Sequence, residues 1–123
     1  GESAIEGIPT SEPRGLYGGD DDEDNSGVLA YISVRHGGTD IGAGNEINGI
    51  TYGGVGSSTS VEYIEVISNA DDGMEFFGGT VSVNYAVSTG NQDDSFDWTH
   101  GFSGTCSNWI VVQDRAVITT CAH

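Results

Sequence analysis

Short runs in which apolar and polar residues alternate recur along the chain, divided by stretches rich in glycine, aspartate and serine. Val61-Glu-Tyr63-Ile64-Glu-Val66-Ile67 is one such run, and Leu29-Ala-Tyr31-Ile32-Ser-Val34 repeats its layout. A period near two marks a strand with one face against a core. Shorter pieces such as 74–77 follow each long one, and turn-rich segments at 53–60, 68–73, 78–80 and 88–94 separate them. No segment carries a helical period, so the pattern predicts an all-β domain.

The pieces recur in register. Val61-Glu-Tyr63 returns as Val83-Asn-Tyr85, Asn69-Ala-Asp71-Asp72 as Asn91-Gln-Asp93-Asp94, Glu75-Phe76 as Asp97-Trp98 and Gly79 as Gly101, all at an offset of 22 residues. Looser copies extend outward. Ile50-Thr-Tyr52-Gly53-Gly54 aligns with Glu75-Phe-Phe77-Gly78-Gly79, Gly15-Leu-Tyr17-Gly18-Gly19 resembles an earlier copy of that corner, and Ser107-Asn-Trp109-Ile110-Val111 opens a last unit. Leucine-rich repeats need several leucines per unit, and only Leu16 and Leu29 are present. A propeller blade needs about twice the length. A β-sandwich suits the strand spacing, but identical residue types at one offset favour a solenoid, in which equivalent positions stack about 4.8 Å apart. The expected fold is a single-stranded right-handed parallel β-helix of about four to five coils. Residues 1–27 form an N-terminal cap with an acidic loop, 28–114 the repeats and 115–123 a tail. The expected inward ladders are Tyr31/Tyr63/Tyr85/Trp109 and Tyr52/Phe77, with Asn69 over Asn91 as an amide ladder at a corner.

Charge narrows the choice of partners. Nineteen acids face three arginines, Arg14, Arg35 and Arg115, with no lysine, for a formal net charge of −16 over 123 residues. Such a surface repels phosphate backbones and anionic lipid and attracts divalent cations. Nucleic acid is therefore excluded as a partner, and no run reaches the apolar length of a membrane helix. Cys106 and Cys121 would, if paired, close a loop worth about 3 kcal/mol in the chain-entropy model; two free thiols are the alternative.

The coil pattern resembles the right-handed parallel β-helices of the pectate-lyase-like kind. More narrowly, 5–114 resembles a group of secreted β-helical proteins of marine and related bacteria, through Ile5-Glu-Gly-Ile-Pro-Thr-Ser-Glu-Pro-Arg-Gly, Arg35-His-Gly-Gly-Thr-Asp, Asn45-Glu-Ile-Asn-Gly, Asp71-Asp-Gly-Met-Glu-Phe-Phe-Gly-Gly and Asp93-Asp-Ser-Phe-Asp-Trp. The resemblance implies the fold and a secreted or cell-surface location in bacteria, and it brings no assigned activity.

The acids carry the candidate chemistry. Asp71 and Asp72 are expected to stack with Asp93 and Asp94, and Glu75 with Asp97, Glu46 preceding Asp71 in its column. Like charges at strand spacing repel by about 3–4 kcal/mol at an effective dielectric near 20, and solvent, protonation or a bound cation must offset this. Ca²⁺ suits clustered carboxylates; carboxylates splayed into water are the plain alternative. A second set, Asp22, Asp24 and Ser26 followed by Gly27, matches the opening of an EF-hand loop. Position twelve is Ser33 rather than a bidentate Glu, which excludes a full EF-hand and leaves a partial Ca²⁺ loop beside a mobile acidic loop.

Asn69-Ala-Asp71 with Asp93-Asp94 also resembles the polygalacturonase pattern. Carried over, it would make Asp71, Asp93 and Asp94 the acids of an inverting glycoside hydrolase. Two departures weigh against it: His100 follows Asp94 by only six residues, and the basic motif that holds the substrate carboxylate is absent. His36 and His100 do not show zinc spacing. The expected role is a non-catalytic extracellular structural or interaction module binding Ca²⁺, with polysaccharide or end-to-end self-association as its partner. The alternative is a polysaccharide-degrading hydrolase, and an ice-binding solenoid ranks last for want of a threonine ladder.

Overall fold

The computed structural model describes residues 1–42 and 45–114. In chain order the strands are β1 (Glu2–Ala4), β2 (Leu16–Gly18), β3 (Val28–Arg35), β4 (Asp40–Gly42), β5 (Asn45–Glu46), β6 (Ile50–Gly53), β7 (Ser60–Ile67), β8 (Met74–Phe77), β9 (Ser82–Thr89), β10 (Phe96–Thr99) and β11 (Cys106–Val112), with one 3₁₀ turn at Pro13–Gly15. The long strands form a four-stranded sheet in the order β11-β9-β7-β3 and the short ones a three-stranded sheet in the order β10-β8-β6. Every pairing within these two sheets is parallel. β1/β2 and β4/β5 are small antiparallel pairs.

The register bears out the repeat. Val61 lies opposite Val83 and Met74 opposite Phe96, both at the 22-residue offset, and Leu29 lies opposite Val61 as aligned from the sequence. The outer copy of the short strand is corrected by one residue: Tyr52 lies opposite Phe76, not Phe77. The rings of Tyr52 and Phe76 stack at 4.7 Å. The Gly15–Gly19 copy belongs to an antiparallel pair, although Tyr17 does reach Phe77, with ring centroids 5.9 Å apart.

Val61, Ile64, Val66, Val83 and Ala86 from the long sheet meet Tyr52, Met74 and Phe76 from the short one in a single core, with Val81 between strands. Placing the tyrosine ladder in that core was an error. Tyr31, Tyr63 and Tyr85 are 81%, 40% and 44% exposed and stack outside the sheet at 4.7 and 4.9 Å. The cause is backbone handedness. Each of the three has φ of 57°, in the left-handed region that L-residues rarely visit. A left-handed residue inserts an extra position into the alternation, as in a bulge. The residue before each tyrosine is partly exposed and the residue after it returns to the core side. Asn108, with φ of 56°, occupies this column in β11, while Trp109 lies opposite Ala86 and faces inward.

Left-handed residues line up elsewhere. His36, Ser68 and Gly90 follow β3, β7 and β9 at equivalent positions, with φ of 53°, 54° and 61°. Gly54, Gly78 and His100 do the same after β6, β8 and β10. The chain thus turns at matching points in successive units. At one such turn Asn69 and Asn91 are fully buried, and the Asn69 amide donates to Asn91 Oδ1 at 3.0 Å. Asn69 Nδ2 donates to the Asp72 carbonyl at 2.8 Å, and Asn91 Nδ2 to Ser88 Oγ. The two asparagines do meet at this corner, joined through main chain rather than side chain to side chain, and they satisfy turn backbone that would otherwise be buried without partners.

The acidic loop is pinned to the repeats: Ser57 N–H donates to the Asp22 carbonyl at 2.9 Å and Ser26 N–H to Thr59 Oγ1 at 2.9 Å. Cys106 is exposed; Cys121, Arg115 and the rest of the tail lie outside the described residues, and the proposed disulfide with them. Among the described residues no helix is long and apolar enough to cross a membrane.

Candidate functional site

The acids gather where the turns 68–73 and 90–95 pass the β4/β5 pair. Asp71 is half-buried, and its carboxylate oxygens, with those of Glu46 and Asp93, lie within 4.8 Å of one another. Asp72, Glu75 and Asp97 form a second group within the same limit, with Asp72 and Glu75 buried. Asp71 and Asp72, adjacent in the turn between β7 and β8, thus serve different groups rather than one column of pairs.

Electrostatics follow from burial and crowding. Burial first, then the charge and hydrogen bond of Glu46, push the Asp71 carboxyl up to about 6. Burial and the neighbouring Asp71 push Asp72 up to about 8, against a hydrogen bond from the Asp94 amide that lowers it. Glu75 rises to about 7 through burial, with Asp97 and Glu6 adding to it and a hydrogen bond from Asn48 opposing. Asn48 Nδ2 donates to Glu75 Oε2, while its Oδ1 is buried with no partner among the described residues. Among the described residues no arginine relieves the crowding. Arg14 is held by Glu12 at 2.8 Å and Arg35 by Glu65 at 2.6 Å.

Stacked parallel strands, an aligned turn and a buried asparagine ladder beneath a row of acids agree with one sequence family. The profile of the pectate-lyase-like β-helix domain matches residues 7–120. The chain belongs to that family. No curated protein and no solved structure matches it.

The β-helix domain brings together four of the seven acids and hydroxyls singled out from sequence only in part. Asp71 and Asp93 meet in one group and Asp72 belongs to the other. Asp94 joins neither; it is exposed, its amide donates to Asp72 Oδ1 at 2.9 Å, and partial burial with Asp93 and Asp97 raises its carboxyl. Asp22, Asp24 and Ser26 lie on the exposed loop. Ser26 Oγ donates to Asp24 Oδ2 at 2.9 Å, and the Asp22 carbonyl accepts from Thr80 Oγ1 as well as Ser57. None of these three residues belongs to a group of three converging ligands among the described residues. His100 Nδ1 lies 3.0 Å from Tyr17 OH, away from both acid groups.

Asn48, which holds Glu75, is the member of the acid site that the sequence does not single out. Gly49 N–H donates to the Asp72 carbonyl and Gly73 N–H to that of Asp94, so Asn48, Asp72 and Asp94 share one column. A gap of 24 residues between Asn48 and Asp72, rather than 22, hid the equivalence; the Asn-Gly against Asp-Gly match was the available signal.

Proposed function

We propose that this β-helix domain is a non-catalytic extracellular structural or interaction module that binds Ca²⁺ at its converging carboxylates. One observation carries the reading: six carboxylates from successive units form two groups, each with oxygens within 4.8 Å, and neither Arg14 nor Arg35 reaches them. Carboxylates at that separation repel by about 3–4 kcal/mol at an effective dielectric near 20. A hard cation that takes six to eight oxygens at about 2.3–2.6 Å offsets this repulsion. Glu46, Asp71 and Asp93 would supply one ligand set, and Asp72, Glu75 and Asp97 the other, water or carbonyl oxygens completing each. Asp22, Asp24 and Ser26 would add a weaker site on the loop. In this reading the parallel registers are successive turns of a right-handed solenoid of about four to five coils, secreted by a bacterium, with polysaccharide or a second copy stacked on its end as partner.

Titration of the chelated protein with Ca²⁺ by calorimetry, with melting in Ca²⁺ and in chelator, tests the proposal. Saturable heat and a raised melting temperature are expected, both reduced in Asp71→Asn/Asp93→Asn, reduced further when Asp72→Asn/Asp97→Asn is added, and kept in Asp20→Asn. Absence of heat and of any melting shift removes the Ca²⁺ reading.

The raised carboxyl of Asp71 beside Asp93 supports a second reading, a glycoside hydrolase in which Asp71 holds a proton and Asp93 or Asp94 activates water. A reducing-sugar screen on neutral and acidic glycans, with Asp94→Asn as control, separates the two.

A further inference from the structure

Away from the carboxylate groups, a groove of about 680 Å³ opens beside β1 and β2. That volume falls within the range of about 300–1,000 Å³ typical of small-molecule sites. One wall is aromatic. Tyr17 and His100 are joined by the 3.0 Å contact between Tyr17 OH and His100 Nδ1, and both pack on buried Phe77, with ring centroids 5.9 and 6.0 Å away. Gly18, Gly54 and Gly78, all with positive φ, also line the groove. The acidic loop contributes Asp20 and Asp22 to the lining. That loop is held through the Asp22 carbonyl and Ser26 amide, so the Asp22 carboxylate remains available to a ligand.

Aromatic rings and carboxylates lining one groove recognise one chemistry best. An ammonium group gains from the ring quadrupole and from the acids together. A metal ion gains little from aromatic rings. We propose that the groove binds a small organic ammonium ion, with its charge toward Asp20 and Asp22 and its carbon substituents against Tyr17. The proposal shares no residue with the two carboxylate groups, and at the loop it gives the Asp22 carboxylate to an ammonium ion in place of the weaker Ca²⁺ site.

Choline and its neutral isostere 3,3-dimethylbutan-1-ol are the probes, titrated into the full chain by calorimetry and saturation-transfer NMR at moderate salt. Choline should bind saturably and about tenfold more tightly than the isostere. Tyr17→Leu should weaken choline about tenfold, and Asp20→Asn and Asp22→Asn each about threefold, with circular dichroism unchanged. The conservative loop variants cover the case in which Tyr17→Leu fails to fold. Asp71→Asn should leave choline binding intact. Equal affinity for the two probes, no saturable choline binding, indifference to both loop variants, or loss of binding in Asp71→Asn overturns the proposal. Failure of Ca²⁺ binding alone leaves it standing.

Discussion

Replacing Asp72 by asparagine separates electrostatic load from packing in the acid groups. Asp72 is buried, and its Oδ1 accepts the Asp94 amide at 2.9 Å. The isosteric amide keeps an oxygen for that bond and removes the proton equilibrium. Burial and Asp71 raise the folded-state pKa from 3.8 to about 8, so the folded protein holds a proton that the unfolded chain has released. The associated stability is fully present below pH about 4 and is lost as pH rises through about 8. A displacement of that size corresponds to on the order of 5 kcal/mol at about 1.4 kcal/mol per pH unit. Glu75, raised to about 7, and Asp71, raised to about 6, act in the same direction. Melting by circular dichroism between about pH 5 and pH 9 in chelator is the assay. For a domain of 123 residues about 4 °C corresponds to 1 kcal/mol. Wild type should therefore lose more than about 10 °C across the range, and Asp72→Asn about half as much. Millimolar Ca²⁺ should restore most of the alkaline loss in wild type and a smaller share of it in the variant, where only the group of Glu46, Asp71 and Asp93 is intact. A wild-type melting temperature indifferent to pH, or an equal fall in both proteins, refutes the electrostatic argument.

Ser68 sits at a left-handed turn, so Ser68→Gly should stabilise by about 1 kcal/mol, read as a higher urea midpoint. Asn91→Ala removes the acceptor of the buried Asn69 amide and should cost about 2–3 kcal/mol by the same measurement; an unchanged midpoint would show that the amide ladder carries no weight. Phe76→Ala should cost about 3–5 kcal/mol and Tyr63→Ala only about 1, because the first ring is fully buried and the second stacks in solvent. Equal losses would contradict the outward tyrosine column.

The parallel pairing of β7 with β9 and of β8 with β10 was legible because identical residue types recur at a constant offset, and hydrogen-bonded registers preserve such an offset. The columns Asn69/Asn91 and Glu75/Asp97 follow from it directly. The direction of Tyr31, Tyr63 and Tyr85 was not legible. Simple alternation assumes extended backbone throughout, and nothing about a tyrosine announces positive φ as a glycine does. The grouping of Asp71 with Glu46 and of Asp72 with Glu75 was hidden for a related reason: sequence offsets give height along the stack, while the sense in which a turn residue projects depends on local torsions. The family match confirms the pectate-lyase-like resemblance read from the coil pattern.

Fourteen residues separate β3 from β6, where six separate β7 from β8 and six separate β9 from β10. The surplus folds out as the β4/β5 hairpin, and the registers on both sides continue undisturbed. Glu46 stands on that outgrowth. Length and charge can therefore vary at this corner, and with them the surroundings of Asp71 and Asp93, while the two parallel sheets keep their registers.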